Sequence, residues 1–111
     1  MLPGFKSFRI TRGDTFAFDM TLQQGGEAYV LSEDTVFTGD LVEKGKSTAT
    51  ASFAFEILDE AEGIVRCTLT ATESAKLSGG KTYNYDIQMD NDGVISTIIQ
   101  GPILVKLDYT A

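Results

Sequence analysis

The sequence predicts an all-β fold, an antiparallel β-sandwich of seven to eight short strands with one short helical turn near residues 71–78. Three observations lead there. Apolar side chains recur at every second position in segment after segment, the period of a strand with one buried face. Turn residues, many of them glycine, separate these segments at short, regular intervals. The stretch from Lys81 to Tyr109 reads as a long β-hairpin whose second arm runs on past Gly101-Pro102, and the rest of the chain is suited to cover it. At 111 residues, 42% of them hydrophobic, the chain is sized for one domain (1–111) whose core needs no disulfide or metal staple.

Taken in order, residues 1–4 form a short flexible arm, because Pro3-Gly4 interrupts regular structure. Residues 5–10 read as the first strand, with Phe8 and Ile10 on one side, and Arg12-Gly13-Asp14 turns the chain. Residues 15–22 alternate cleanly: Phe16, Phe18, Met20 and Leu22 inward, Thr15, Ala17, Asp19 and Thr21 outward. Gln24-Gly25-Gly26-Glu27 is the next turn, followed by a short strand over 28–31 and polar punctuation over 32–34. Residues 36–43 are a strand with Gly39 at its middle, the mark of a bulge or a close backbone approach. After a polar loop over 44–48, residues 51–57 put Phe53, Phe55 and Ile57 on one face, and residues 64–70 put Val65, Cys67 and Leu69 inward.

Thr70-Ala71-Thr72-Glu73 has the spacing of a capping box, in which hydroxyl and carboxylate each satisfy a backbone N–H. Residues 72–77 then form a turn or two of helix, anchored by Leu77 and stopped at Gly79-Gly80. Leu77 precedes Tyr83 by six residues across a glycine-containing turn. This resembles the tyrosine corner of immunoglobulin-like sandwiches, where the phenol bonds back to upstream backbone in a structural role. The missing Cys and Trp pair excludes an antibody-type domain.

In the hairpin, Tyr83, Tyr85, Ile87 and Met89 share one face, and Asn84, Asp86, Gln88 and Asp90 the other. The turn at Asp90-Asn91-Asp92-Gly93 admits a two-residue or a three-residue loop. A shift of one residue exchanges the buried face, so the better apolar match decides. The three-residue loop sets Met89 opposite Ile95 and Tyr85 opposite Ile99; the two-residue loop sets Met89 opposite Ser96. The three-residue loop is favoured. The last strand, 103–110, aligns Ile103, Val105, Leu107 and Tyr109.

The chemistry-bearing patterns are few. The sequence has no histidine, which removes the commonest general base and metal ligand. Cys67 is alone on an apolar strand face and reads as a small buried hydrophobe; it forms no intramolecular disulfide. Asp90-Asn91-Asp92-Gly93 opens like a calcium loop, but the glutamate needed about twelve positions from its start is absent, Gly101 standing there. Glu56, Asp59, Glu60 and Glu62 read as a solvated edge, with a docking surface for a basic partner as the alternative. Arg12-Gly13-Asp14 matches the tripeptide integrins read, and Gly13 is equally what a tight turn requires. No catalytic, cofactor-binding or metal-binding residue is assigned. A net charge of -7 with scattered Lys and Arg argues against a nucleic-acid partner, and no apolar run is long enough to span a membrane. The first ten residues lack a secretory pattern, which fits synthesis and assembly in cytoplasm.

The chain as a whole resembles small β-sandwich structural domains of tailed bacteriophages, most closely the N-terminal attachment domain of upper-baseplate proteins. The resemblance is carried by F-x-I-x-R-G-D-T-F over 8–16, L-T-A-T-E-S-A-K-L over 69–77, Y-x-Y-D-I-Q over 83–88 and D-G-V-I-S-T-I-I-Q-G-P-I-L-V over 92–105. It implies a non-enzymatic virion component that docks onto other virion proteins, in several copies or as a homo-oligomer, assembled in the host cytoplasm. The expected contact elements are a sheet edge and the arm at residues 1–4. The alternative is a free-standing immunoglobulin-like module for carbohydrate or a host surface, for which Tyr29 and Tyr109 would be the exposed aromatics.

Overall fold

Alternation closes into two facing sheets. In a computed structural model, which describes residues 4–91 and 93–106, the chain runs through β1 (Gly4–Phe5), β2 (Phe8–Thr11), β3 (Phe16–Thr21), β4 (Gln23–Gln24), β5 (Glu27–Ala28), β6 (Thr35–Glu43), β7 (Ala49–Ser52), β8 (Ala54–Asp59), β9 (Ile64–Leu69), α1 (Ala71–Ser74), β10 (Thr82–Asn91) and β11 (Val94–Lys106). The larger sheet has the order β1–β11–β10–β6–β7, with β2 also on β11; the smaller has the order β3–β9–β8, and β4–β5 is a separate small hairpin. Taking β1 with β2 as one interrupted strand beside β11, the sheets follow the G-F-C-C′ and B-E-D orders of an immunoglobulin-like sandwich, with β7 as C′ and β8 as D. The N-terminal strand lies parallel to β11 rather than antiparallel to a neighbour.

The core follows the alternation. Tyr83, Tyr85, Ile87 and Met89 are at most 3% exposed on one sheet, facing fully buried Val65, Cys67 and Leu69 on the other. Between them runs a chain of rings: Phe8 packs on Phe16, Phe18 and Tyr85 at centroid distances of 5.0, 4.7 and 5.7 Å, and Phe53 meets Tyr85 edge-on at 5.9 Å. Such pairs add about 0.5–1.5 kcal/mol each beyond their buried area.

Four expectations are corrected. Two residues, not three, lie between the paired ends of the hairpin: Asn91 faces Val94 and Met89 faces Ser96. The register then shifts between Ile87 and Gln88, so that Gln88 faces Thr97 while Ile87 faces Ile99, leaving Ile98 as a bulged extra residue. The bulge reverses parity, so Ile95 points to solvent while Ile98, Ile103 and Val105 are buried. The apolar match that favoured the three-residue loop assumed one register along the whole strand. Second, the strand expected over 5–10 is broken at Lys6-Ser7. Gly4 faces Ile99 and Phe8 faces Ile103 in one unbroken register, so the gap falls opposite Gly101-Pro102, where proline offers no N–H to a ladder. Gly4 itself is in β1; residues 1–3 and 107–111, including Leu107 and Tyr109, lie outside the described residues.

Third, 51–57 is not one strand. Phe53 donates its N–H to Gly39 O (2.8 Å) between β7 and β8, and the chain crosses there from one sheet to the other. Gly39 supports this crossing without a bulge, facing Ile87 in ordinary register, and a Cβ on it would sit 3.0 Å from both Ile87 and Phe55. Fourth, the short strand expected over 28–31 is instead β5, Glu27–Ala28, closed on β4 by the turn at Gly25-Gly26.

The corner after β9 matches its sequence signature. Thr70 caps α1, its hydroxyl accepting from Glu73 N–H at 3.2 Å. The capping box is only half made, because the Glu73 carboxylate turns away to accept Ser52 N–H of β7 (2.9 Å) and to pair with Lys76. Helix α1 is the expected short helical turn, beginning at Ala71 and capped at Ala75. Leu77 anchors it at 1% exposure, joined by fully buried Ser74. The Tyr83 hydroxyl accepts Ser78 N–H at 2.8 Å, making the tyrosine corner. Tyr83→Phe is therefore expected to cost about 1–3 kcal/mol, the desolvation cost of an orphaned N–H. Urea unfolding measures it, and an unchanged midpoint would show that the bond contributes nothing.

Candidate functional site

The motifs singled out in the sequence become joints of the fold. Arg12 donates from Nε to Leu77 O (2.8 Å) and from Nη2 to Ala75 O (2.9 Å), capping the end of α1 with its guanidinium. Gly13 N–H donates to Ser74 Oγ (2.9 Å), and that hydroxyl reaches Thr11 O (3.4 Å). Two thirds of the Arg-Gly-Asp tripeptide is thus a clamp between the turn after β2 and the helix. Arg12→Ala should loosen it by about 1.5–3 kcal/mol, the range for hydrogen bonds to a charged donor. Faster amide exchange at residues 74–78 is the readout, and unchanged exchange would show that the clamp holds nothing.

The carboxylates do not converge. Glu56 lies across from Arg66 in the β8–β9 ladder, the Asp59 carboxylate accepts Glu62 N–H (3.1 Å), and Glu60 offers its backbone carbonyl to Leu31 N–H (2.8 Å). Asp90 closes its turn by accepting Gly93 N–H at 2.9 Å. Asp19 and Arg66 pair across β3 and β9 at 2.9 Å; the Arg66 hydrogen bond holds the Asp19 carboxyl below its ordinary range. Among the described residues every buried side-chain nitrogen or oxygen has a hydrogen-bond partner.

Cys67 is fully buried, and burial pushes its thiol up to about 12. The Tyr85 phenol, donating to Lys6 O at 2.7 Å, is also raised to about 12, chiefly by burial. Both groups hold their protons more tightly when folded. Their contribution is complete below their unfolded values and is lost as pH rises through about 9–12. Native protein at pH 8 should therefore resist a thiol reagent that labels it fully in denaturant, and stability should fall above about pH 9. Rapid native labelling would show that Cys67 is reachable.

What the fold leaves open is surface. On the outer face of the larger sheet, cross-strand neighbours form rows: Val36, Asp90 and Ile95; Asp40, Asp86, Gln100 and Phe5; Asn84 and Pro102; Leu104 and Arg9. Phe5 is 75% exposed. It borders a shallow hollow of about 370 Å³ with Asn84, Gln100 and Pro102, and Pro102 is shared with a neighbouring hollow of about 410 Å³ lined by Ser7, Arg9 and Leu104. Phe5, Pro102 and Leu104 thus make an apolar ridge between two depressions. The outer edges of β3 and β7 have no strand beside them among the described residues, leaving backbone groups open to pairing. Tyr29 is half-buried, its hydroxyl accepting from the Asn91 amide at 2.9 Å, and among the described residues Phe5 is the aromatic that faces solvent. Composition concealed this ridge, because Phe5 looks like any other strand phenylalanine; the outward parity of Gln100 and Pro102 beside it was the available signal. No family model matches the chain, and a search of curated proteins finds no match.

Proposed function

We propose that this chain is a non-enzymatic structural component of a tailed-phage particle, in the tail, baseplate, neck or decoration, that acts by docking against other virion proteins. The observation that carries the reading is the apolar ridge of Phe5, Pro102 and Leu104 on the outer face of the larger sheet, in a sandwich whose buried side-chain polar groups are all engaged among the described residues. Exposed apolar area rimmed by polar groups marks a protein contact. A histidine-free sequence and a thiol held protonated offer little to nucleophilic or acid–base chemistry. The resemblance over 8–16, 69–77, 83–88 and 92–105 supports the phage assignment by analogy of pattern.

The exposed ring of Phe5 also suits the rival reading, a module that stacks on sugars. One pair of measurements separates them. Immobilised chain should retain a protein from dissociated particles and leave a glycan array silent. Phe5→Ala should weaken that retention about tenfold or more, as for an interface anchor. A positive glycan array with no particle protein retained would reverse the assignment.

A further inference from the structure

The connecting loops gather at two opposite ends of a molecule 43 Å long, and the ends differ in charge and relief. At one end lie residues 22–36, 57–64 and the described residues of the β10–β11 turn, 90–91 and 93–95, tied together by Leu22 N–H on Gly63 O (2.8 Å), Leu31 N–H on Glu60 O (2.8 Å) and the Asn91 amide on the Tyr29 hydroxyl (2.9 Å). Every charged residue in those three segments is a carboxylate. Aliphatic side chains stand among them in solvent, Val30 at 69%, Val94 at 67% and Ile95 at 65% exposure. Three such side chains on one loop end exceed the scatter of single exposed apolar residues and mark a contact.

The opposite end is built from the turn after β2, the 44–48 loop, α1 and the end of β11. Arg12 on the carbonyls of Ala75 and Leu77 just after α1, Lys44 N–H on Thr82 O (3.1 Å) and Gly80 N–H on Val105 O (2.7 Å) hold it together. Arg12, Lys44, Lys46, Lys76, Lys81 and Lys106 gather there, six of the nine basic residues of the chain. Lys76 and Lys81 pair with Glu73 and Glu43, whereas Lys44 and Lys46 have no carboxylate partner among the described residues. The loop that carries them borders an open hollow of about 560 Å³, lined by Gly45, Lys46, Ser47 and Thr48 and by Glu43, whose carboxylate is engaged by Lys81 at 3.1 Å.

We propose that copies of this chain associate head to tail: Val94 and Ile95 at the tip of the β10–β11 hairpin seat in the 44–48 hollow of the next copy. The carboxylates around the tip then meet Lys44 and Lys46. Charge complementarity between the chain's own ends selects a second copy as the occupant. The contact is heterologous, so it repeats into strings or closes into rings rather than stopping at a symmetric dimer. This inference rests on the two ends alone and does not depend on the virion reading.

The net charge of -7 opposes association of whole molecules, while the opposed ends favour it. Association should therefore be strongest near 0.1 M salt, where a screening length of about 10 Å quiets repulsion between centres but not between touching groups, and weak near 1 M. Cysteine cross-linking tests the geometry, Cys67 being buried and silent. The double variant Ser47→Cys/Val94→Cys should give a ladder of disulfide-linked species under mild oxidation, whereas the two single variants mixed should stop at a heterodimer. In sedimentation, Lys44→Glu/Lys46→Glu and Glu60→Lys/Glu62→Lys should each be monomeric, and mixing them should restore association. Dimers of Val94→Cys with no ladder from the double variant would overturn the proposal. So would wild-type protein that stays monomeric at about 1 mM, the bound below which a contact contributes little.

Discussion

Gly101→Ala is expected to lower the melting temperature by roughly 10–20 °C, about 3 kcal/mol for a domain of this size. The reason is a crossing of backbones. Lys6 donates its N–H to Gln100 O at 3.1 Å and accepts the Tyr85 hydroxyl at 2.7 Å, so the N-terminal segment lies directly on β11. A Cβ at position 101 would sit 2.1 Å from Lys6 O and 2.9 Å from Lys6 C, and a backbone group held from both sides cannot step aside. Alanine forces β1 and β2 off the sheet, uncovering Phe8 and stranding the Tyr85 phenol. Gly45→Ala is the control: its φ of +89° is unwelcome to alanine, but no atom lies within 4 Å, so only the local strain of about 1–2 kcal/mol applies. Equal melting temperatures for the two variants would mean that the crossing carries no stability.

Ile87→Ala is expected to cost about 4 kcal/mol, within the range for emptying a fully buried aliphatic site. Ile87 is 0% exposed at the centre of β10, paired with Gly39 on one side and Ile99 on the other. Gly39→Ala alone should cost about 1–3 kcal/mol by overpacking, since its Cβ would lie 3.0 Å from Ile87 and Phe55 and 3.2 Å from Phe53. The two changes share one space, so the double variant should be more stable than the sum of the single losses predicts. Denaturant midpoints of the four proteins measure this coupling. Strict additivity would show that Gly39 is glycine for some reason other than room.

Much of this fold was legible because burial writes itself as parity. Tyr83 to Met89 and Phe16 to Leu22 keep one phase along each strand, and Leu77, Tyr83 and the glycines between them specify the corner without reference to distant residues. Parity failed where the backbone changed sheet or register without changing phase. Ala51, Phe53, Phe55 and Ile57 stay in step across the crossing at Phe53, so nothing in the pattern marks the break. In β11 the reverse holds: Ile95, Ile98 and Ile99 occupy both phases, and only the pairing with β10 reveals which isoleucine is the extra one. The parallel docking of β1 and β2 and the diversion of Glu73 to Ser52 depend on partners far along the chain. For the surface, the carboxylates were visible in sequence, but their separation from the lysines emerges only once alternate loops fall at opposite ends.

The central claim is that this chain serves as a docking part of a particle and performs no chemistry. Quantitative mass spectrometry of phage particles purified from a lysate in which the chain is made tests this proposal most directly. The predicted result is that the chain co-purifies through the density gradient at a fixed ratio to the major structural proteins. Its absence from particles while it remains abundant in the same lysate would contradict the claim.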